Sequence, residues 1–236
     1  MSPSTSAAAR AVHAQRAAER AVDYLRPGMV VGLGGGTTVL FAIRKLARLL
    51  RAGELRDILG IPCSKGTGEE ARRLGVPLTT LDDHGTIDVT IDGADEVDPA
   101  LDVIKGGGGA LLREKLVAQA SAREVIVVDE AKRSPRLGTQ FALPVEIVGF
   151  GLATTRLAIE RLGARVEVRR SADGEIVNTD QGNVVLDCDF GPIEDAEALA
   201  SALTAHAGVV EHGLFLGLVS VLVVSGAAGV EVIRRP

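Results

Sequence analysis

Four short apolar runs alternate with helical segments in the first 130 residues: Met29 to Leu33, Ile58 to Pro62, Thr86 to Ile91 and Glu124 to Asp129. That alternation constrains the fold more than any other feature of the chain. Parallel strands cannot be joined by a tight turn, so each needs a crossover, usually a helix. The rhythm therefore predicts an α/β fold with a doubly wound parallel sheet. In such sheets ligands sit outside the carboxyl ends of the strands. The loops at 34–38, 92–95 and 129–132 are expected to lie there together.

After Gln140 the rhythm changes. Leu143 to Val148, Ala164 to Arg169, Asn183 to Asp187 and Val209 to Leu214 read as strands, with helices at Ala153 to Leu162 and Asp195 to Ala205. The order β-α-β-β-α-β is that of a ferredoxin-like split motif. The expected division is a domain of residues 1–140 plus 215–236, interrupted by a small α+β domain of residues 141–214.

With no Trp and little other aromatic content, the core has to be aliphatic. The net charge of −5, without a basic block, argues against a nucleic-acid partner. Cys63 and Cys188 match neither a zinc spacing nor a disulfide framework, which points to a reducing, cytoplasmic setting. Met1 to Leu25 lacks the apolar core of a signal peptide and reads as an amphipathic helix capped by Ser6. Leu214 to Val230 carries no charge, yet its three glycines and two serines fit two buried strands around a Ser-Gly-Ala-Ala-Gly turn better than a membrane span. Thr67 and Glu70 fit a capping box at the start of a helix that Gly75 ends.

The chemistry concentrates in Ile91 to Lys115, IDGADEVDPALDVIKGGGGALLREK, and in the earlier loop Gly32-Leu-Gly-Gly-Gly-Thr-Thr38. The earlier loop joins a strand to a helix, so its amides and the helix dipole offer an anion site, to which Thr37 and Thr38 add hydroxyls. It lacks the last glycine of a dinucleotide fingerprint and the Gly-Lys-Ser/Thr of a P-loop. A tight structural turn is the plain alternative. Asp92-Gly93-Ala94-Asp95 puts two acids at a strand end beside residues small enough to let a ligand approach. Those acids fit sugar hydroxyls or proton transfer, a helix cap, or a Mg²⁺ site that Lys105 would oppose. Glu96, Asp98 and Asp102 read as solvated acids.

Lys105 before Gly106 to Gly109 can serve an oxyanion, or lie on the surface. Four glycines in a row cost several kcal/mol of chain entropy unless their conformation is needed. Glu114 shares a helix face with Leu111 and Ala118, as an inward-facing base would; a surface glutamate is the alternative. Lys132 follows the fourth strand and suits a phosphate or plain solvent. The four histidines show no metal spacing, and neither cysteine is assigned a role.

Taken together, GLGGGTTV, IDGADEVD, KGGGGALLREK, VVDEAKRSPRLG, LPVEIV, GNVVLD and GVVEHGLF resemble the ribose-5-phosphate isomerase family, type A, over nearly the whole chain after Ala11. The resemblance implies a Rossmann-like domain with a ferredoxin-like insert, no cofactor and no metal, a phosphosugar substrate of the pentose phosphate pathway, and a homodimer or homotetramer. It implies Glu114 as the proton-shuttling base, with Asp92, Asp95 and Lys105 in the catalytic cleft. It implies substrate contacts from Gly35, Gly36, Thr37 and Thr38, from Asp92 to Asp95, from Lys105 to Gly108, and from Lys132. The family usually has Gly-Thr-Gly-Ser-Thr where this chain has Gly-Gly-Gly-Thr-Thr, so Gly35 removes one side-chain donor. An amino-sugar-phosphate isomerase/deaminase would be expected to add a histidine near the base, and 92–115 has none. A non-catalytic sugar-phosphate sensor would have no use for Lys105 and Glu114 together.

Overall fold

The computed structural model describes residues 7–235, so the Ser6 cap expected for the first helix lies outside it. In chain order the first elements are α1 (Ala7–Ala21), β1 (Val30–Leu33), α2 (Gly36–Arg51), β2 (Leu59–Pro62), α3 (Lys65–Arg73) and β3 (Val89–Gly93). There follow β4 (Glu96–Val97), β5 (Val103–Ile104), α4 (Leu111–Gln119), β6 (Glu124–Asp129), β7 (Leu143–Ile147), α5 (Leu152–Glu160) and β8 (Arg165–Val168). The last are β9 (Val184–Asp189), α6 (Ala196–Thr204), β10 (Val209–His212), β11 (Leu214–Phe215), β12 (Val219–Gly226) and β13 (Gly229–Arg234). They form two compact units. One takes in the described residues up to Gly93, Leu116–Ala131 and the chain from Val219; the other is Ala94–Lys115 with Lys132–Leu218.

The first unit is a six-stranded sheet of order β13-β12-β6-β3-β1-β2, parallel except for β13. Five of the six β6 residues are buried, as a strand covered on both faces requires. On α2, Val39, Ala42, Ile43, Leu46 and Ala47 make one stripe at helical spacing. That stripe packs with Ala17, Ala18 and Ala21 of α1 on Val31, Leu33, Val89, Ile91, Val125 and Val127. Ile61, Cys63, Ile87 and Val117 of α4 form a second, smaller cluster. Gly32 points that way, where an added Cβ would collide with the Thr90 hydroxyl and lie 2.8 Å from Val117 Cγ1. Strand order reverses between β1 and β3, which makes their carboxyl ends the switch point of the sheet.

Two local expectations are corrected. The cap of α3 is Ser64, whose Oγ accepts from Thr67 N at 3.0 Å, and the helix begins at Lys65. Thr67 is thus the third helical residue, and its hydroxyl donates instead to Gly34 O at 3.1 Å. The uncharged segment near the C-terminus does form a hairpin around Gly226–Gly229, but only β12 is buried. β13 is an edge strand with Val230 and Glu231 exposed; charge on an edge blunts further pairing. No helix among the described residues is long and apolar enough to cross a membrane.

The second unit has an antiparallel sheet of order β10-β7-β9-β8, with α5 and α6 in the β-α-β-β-α-β sequence of the ferredoxin-like fold. Its core joins Val145, Ile147, Leu186, Cys188, Ile159 and Leu203. A three-stranded sheet, β11-β5-β4, adds residues 94–104 and 214–215 to the same unit. The chain is therefore α/β, a Rossmann-like sheet with an inserted ferredoxin-like portion.

Gly32→Ala should cost about 1–3 kcal/mol, the usual range for overpacking. Urea denaturation followed by circular dichroism reads it, and an unchanged midpoint would show that the Thr90–Val117 contact can give way.

Candidate active site

In the first unit β1 runs into the loop Gly34–Thr38. Gly34 N donates to Ile91 O at 3.0 Å, continuing the β1–β3 ladder past its end. Gly35 N donates to Asp92 Oδ1 at 2.9 Å, and the same oxygen accepts from Gly93 N at 2.7 Å. Asp92 is 1% exposed. A Cβ on Gly34 would overlap the Asp92 carboxylate, so the glycine there is set by close approach. Gly36 opens α2 at φ +83°, a conformation costly for any residue with a Cβ. Gly36 and Thr37 are exposed, while Gly35 and Thr38 are half-buried. The start of a 16-residue helix is thus open to solvent at Gly36 and Thr37, where helix N-terminal amides can serve an anion. A cleft of about 490 Å³ beside Gly36 and Thr37 is lined by Ser64, Thr67, Arg44 and Arg73, so α3 turns its own N-terminus to it.

In the second unit the β4–β5 hairpin brings Asp95 and Lys105 to one end, with Asp95 N donating to Ile104 O at 2.8 Å. Asp95 Oδ2 accepts from Gly107 N at 2.7 Å, and Gly109 N closes a turn onto Gly106 O at 2.9 Å. A Cβ on Gly107 would come within 2.6 Å of Asp95 Oδ1. The Arg169 guanidinium donates to the carbonyls of Gly106 (2.7 Å) and Gly107 (3.1 Å) and pairs with Asp187. Lys105 is 3% exposed and Glu114 7%, with Nζ 3.2 Å from Oε1. Burying either charge alone costs several kcal/mol, so each makes the other's position tenable. Leu111 and Ala118, buried on the same face, confirm the inward face of α4 read from the spacing. An ammonium beside a carboxylate, in a segment whose next glycines, 107 and 108, are exposed, can stabilise an oxyanion while the carboxylate takes and returns a proton.

The structure also sorts the remaining candidates. Ala94 is half-buried between the two aspartates. Glu96, expected in solvent, is fully buried; its two carboxylate oxygens accept from Gly138 N (2.8 Å) and Gln140 N (3.0 Å). It serves as a tie for the 138–140 segment. Asp98 is half-buried and accepts from Ala100 N and Asp102 N, while Asp102 takes Gly217 N, so both are turn-forming acids. Lys132 is half-buried in the second unit, 5.9 Å from the centroid of the Phe141 ring.

Two residues escaped the sequence reading. Arg169 is one; nothing local marks a strand-end arginine as the clamp of a distant turn. Lys115 is the other. It is 6% exposed, with Nζ 2.5 Å from Glu211 Oε1 and 2.6 Å from His212 O. Burial lowers the Lys115 pKa, and Glu211 works against that. The neighbouring His212 is pushed down to about 4, first by burial, then by the Lys115 charge, with Glu211 opposing.

Comparison with known proteins places these features in a family. Residues 59–229 match the family model of ribose 5-phosphate isomerase A (phosphoriboisomerase A). The chain is 57% identical to the ribose-5-phosphate isomerase A of Desulfatibacillum aliphaticivorans over 92% of its own length and 94% of the relative's. It is 57% identical to that of Chloroflexus aurantiacus over 91% and 90%. Among solved structures, the ribose 5-phosphate isomerase of Plasmodium falciparum superposes with a TM-score of 0.92 at 39% identity, covering 95% of this chain and 98% of that one. A D-ribose-5-phosphate isomerase in complex with phospho-erythronic acid gives 0.93 at 32% identity, covering 95% and 98%.

Lys105→Ala should lower unfolding free energy by about 3–5 kcal/mol, the cost of leaving one member of a buried pair behind. A denaturation midpoint equal to wild type would show Glu114 to be solvated. For His212 the folded pKa lies below the ordinary 6.5, so the unfolded chain binds the extra proton between about 6.5 and 4. Stability from this group is full above that window and falls as pH drops through it. Urea midpoints against pH should fall less steeply in His212→Gln than in wild type; parallel curves would remove His212 from the acid limb.

Proposed function

Because the chain belongs to the ribose 5-phosphate isomerase A family, we propose that it interconverts D-ribose 5-phosphate and D-ribulose 5-phosphate with Glu114 as the base. The observation that carries this assignment is the buried Lys105–Glu114 pair beside an exposed glycine turn. An aldose becomes a ketose by moving a proton from C2 to C1. Glu114 takes the C2 proton, the C2–H electrons form the C1–C2 double bond, and the C1 carbonyl oxygen becomes an enediolate oxygen. Lys105, and the amide of Gly108 in the exposed turn, are the donors assigned to that oxygen. The same carboxylate returns the proton to C1 as the C2 oxygen becomes the ketone. One base on one face of the sugar serves both carbons, and such general acid–base catalysis contributes roughly 10²–10⁴-fold.

Each unit is assigned its part separately. In the first, Gly36, Thr37 and Thr38 offer helix N-terminal donors to the anionic substrate, with Gly35, Asp92 and Gly93 beside them at the adjoining strand end. The Gly35 amide donates to Asp92 and braces the loop, a contact that does not need the missing threonine side chain. In the second, Ala94, Asp95 and Gly106 complete the turn around Lys105, and Lys132 supplies a cation to the phosphate. Asp92 or Asp95 relays the hydroxyl protons and opens the furanose ring. The compartment that fits two buried free thiols is the reducing cytoplasm. A homodimer or homotetramer is proposed as the working state. The support on this chain is Phe150, 94% exposed, with Val148 and Leu157 also exposed; size-exclusion chromatography with light scattering decides it.

Glu114→Gln should reduce turnover of ribose 5-phosphate by at least about 10²-fold while substrate still binds by calorimetry. Near-normal kcat in that variant would refute the base. Lys132→Ala should chiefly raise KM, and an unchanged KM takes it out of the phosphate contact. Both are read in a coupled assay for ribulose 5-phosphate, run with and without EDTA to ask whether a metal ion takes part.

A further inference from the structure

Glu114 ends the first turn of α4 and Lys115 begins the next, and a helix sends neighbouring side chains about 100° apart. Glu114 meets Lys105. Lys115 goes to a different segment, residues 211–215. Its ammonium lies 2.5 Å from Glu211 Oε1, 2.6 Å from the His212 carbonyl oxygen and 3.4 Å from His212 Nδ1, and 5.0 Å from the centroid of the Phe215 ring.

The same segment fixes Lys105. Lys105 N donates to Gly213 O at 2.9 Å, Leu214 and Phe215 pair with Ile104 and Val103, and the Phe215 ring centroid is 5.6 Å from Lys105 Nζ. Residues 211–215 therefore grip two lysines, one at the end of β5 and one on α4, with a single aromatic ring against both ammonium groups.

We propose that Lys115 is a positioning residue for the isomerisation: by tying α4, one residue past Glu114, to the segment that also sets Lys105, it fixes the helix rotation that presents Glu114. The inference rests on the reading of Glu114 as the base. A buried ammonium is costly to desolvate, and a methionine would pack on Phe215 without that cost. What the charge adds is direction. The Glu211 carboxylate, the His212 carbonyl and the His212 ring hold Nζ at one point, whereas apolar packing would fix only a volume.

The test compares Lys115→Met, Lys115→Arg and Glu211→Gln with Glu114→Gln in the ribose 5-phosphate assay, with thermal unfolding of each. Lys115→Met should lower kcat ~10–100-fold, the cost of misplacing a reacting group by about 1 Å, with KM within about threefold of wild type. The primary isotope effect with substrate deuterated at C2 should be at least as large as in wild type, because proton transfer is the step that slows. Lys115→Arg should recover most of the loss. If Lys115→Met does not fold, Glu211→Gln carries the test, with kcat expected to fall at least about threefold at unchanged KM. A folded Lys115→Met or Glu211→Gln variant with wild-type kcat, or a KM that rises in step with the loss of kcat, overturns the positioning role. Should Glu114→Gln alone stay active, the base assignment fails instead, so the two failures are told apart.

Discussion

An ammonium and a carboxylate 3.2 Å apart, both shut away from water, set the terms for everything around them. Neither charge could be buried there alone without a penalty of several kcal/mol. Both must therefore be delivered to the same place by segments that cannot drift. Lys105 is delivered by a two-strand hairpin whose next strand, β11, is also its brace. Glu114 is delivered one residue before a lysine that fastens to the same brace. The pair is thus supported from two directions by residues 211–215, which are far from it in sequence.

The four acids of Asp92 to Asp98 illustrate how similar side chains divide labour by burial and reach. Asp92 and Asp95 each accept a backbone amide from a glycine loop, one in each unit, and so shape the donors around them. Glu96 and Asp98 look outward in the sequence, yet one ties down the 138–140 segment and the other closes a turn. A carboxylate that accepts two amides stabilises local backbone by roughly the worth of two charge-assisted hydrogen bonds. That is reason enough for Glu96 to be buried without any part in the chemistry.

Much of this was legible in the sequence because it depends on local pattern. The parallel strands announced themselves as continuous apolar runs, the ferredoxin-like portion by its order of elements, and Glu114 by the apolar residues on its own face. The glycine loops were legible because so many glycines in one place are costly unless their backbone is used. What stayed hidden depends on partners distant along the chain. Ser64 caps α3 because its hydroxyl happens to reach Thr67 N, and the Thr67 that resembled a cap is taken by Gly34. Glu96, Arg169 and Lys115 each bond to residues tens of positions away. Composition could not show that β13 would be an edge; that followed from where β12 lands in the sheet.

The turn Gly106–Gly109 is held to glycine by constraints of different kinds at three of its four residues. A side chain at 106 would press on Leu111 and Pro144, one at 107 would enter the Asp95 carboxylate, and 109 sits in the left-handed region. At 108 there is open space and an ordinary backbone. A saturation library over these four codons, selected for folding alone, would hold three positions to glycine and let the fourth diversify. Selected for turnover, the same library would report whether 108 is kept bare by something that arrives from outside the chain.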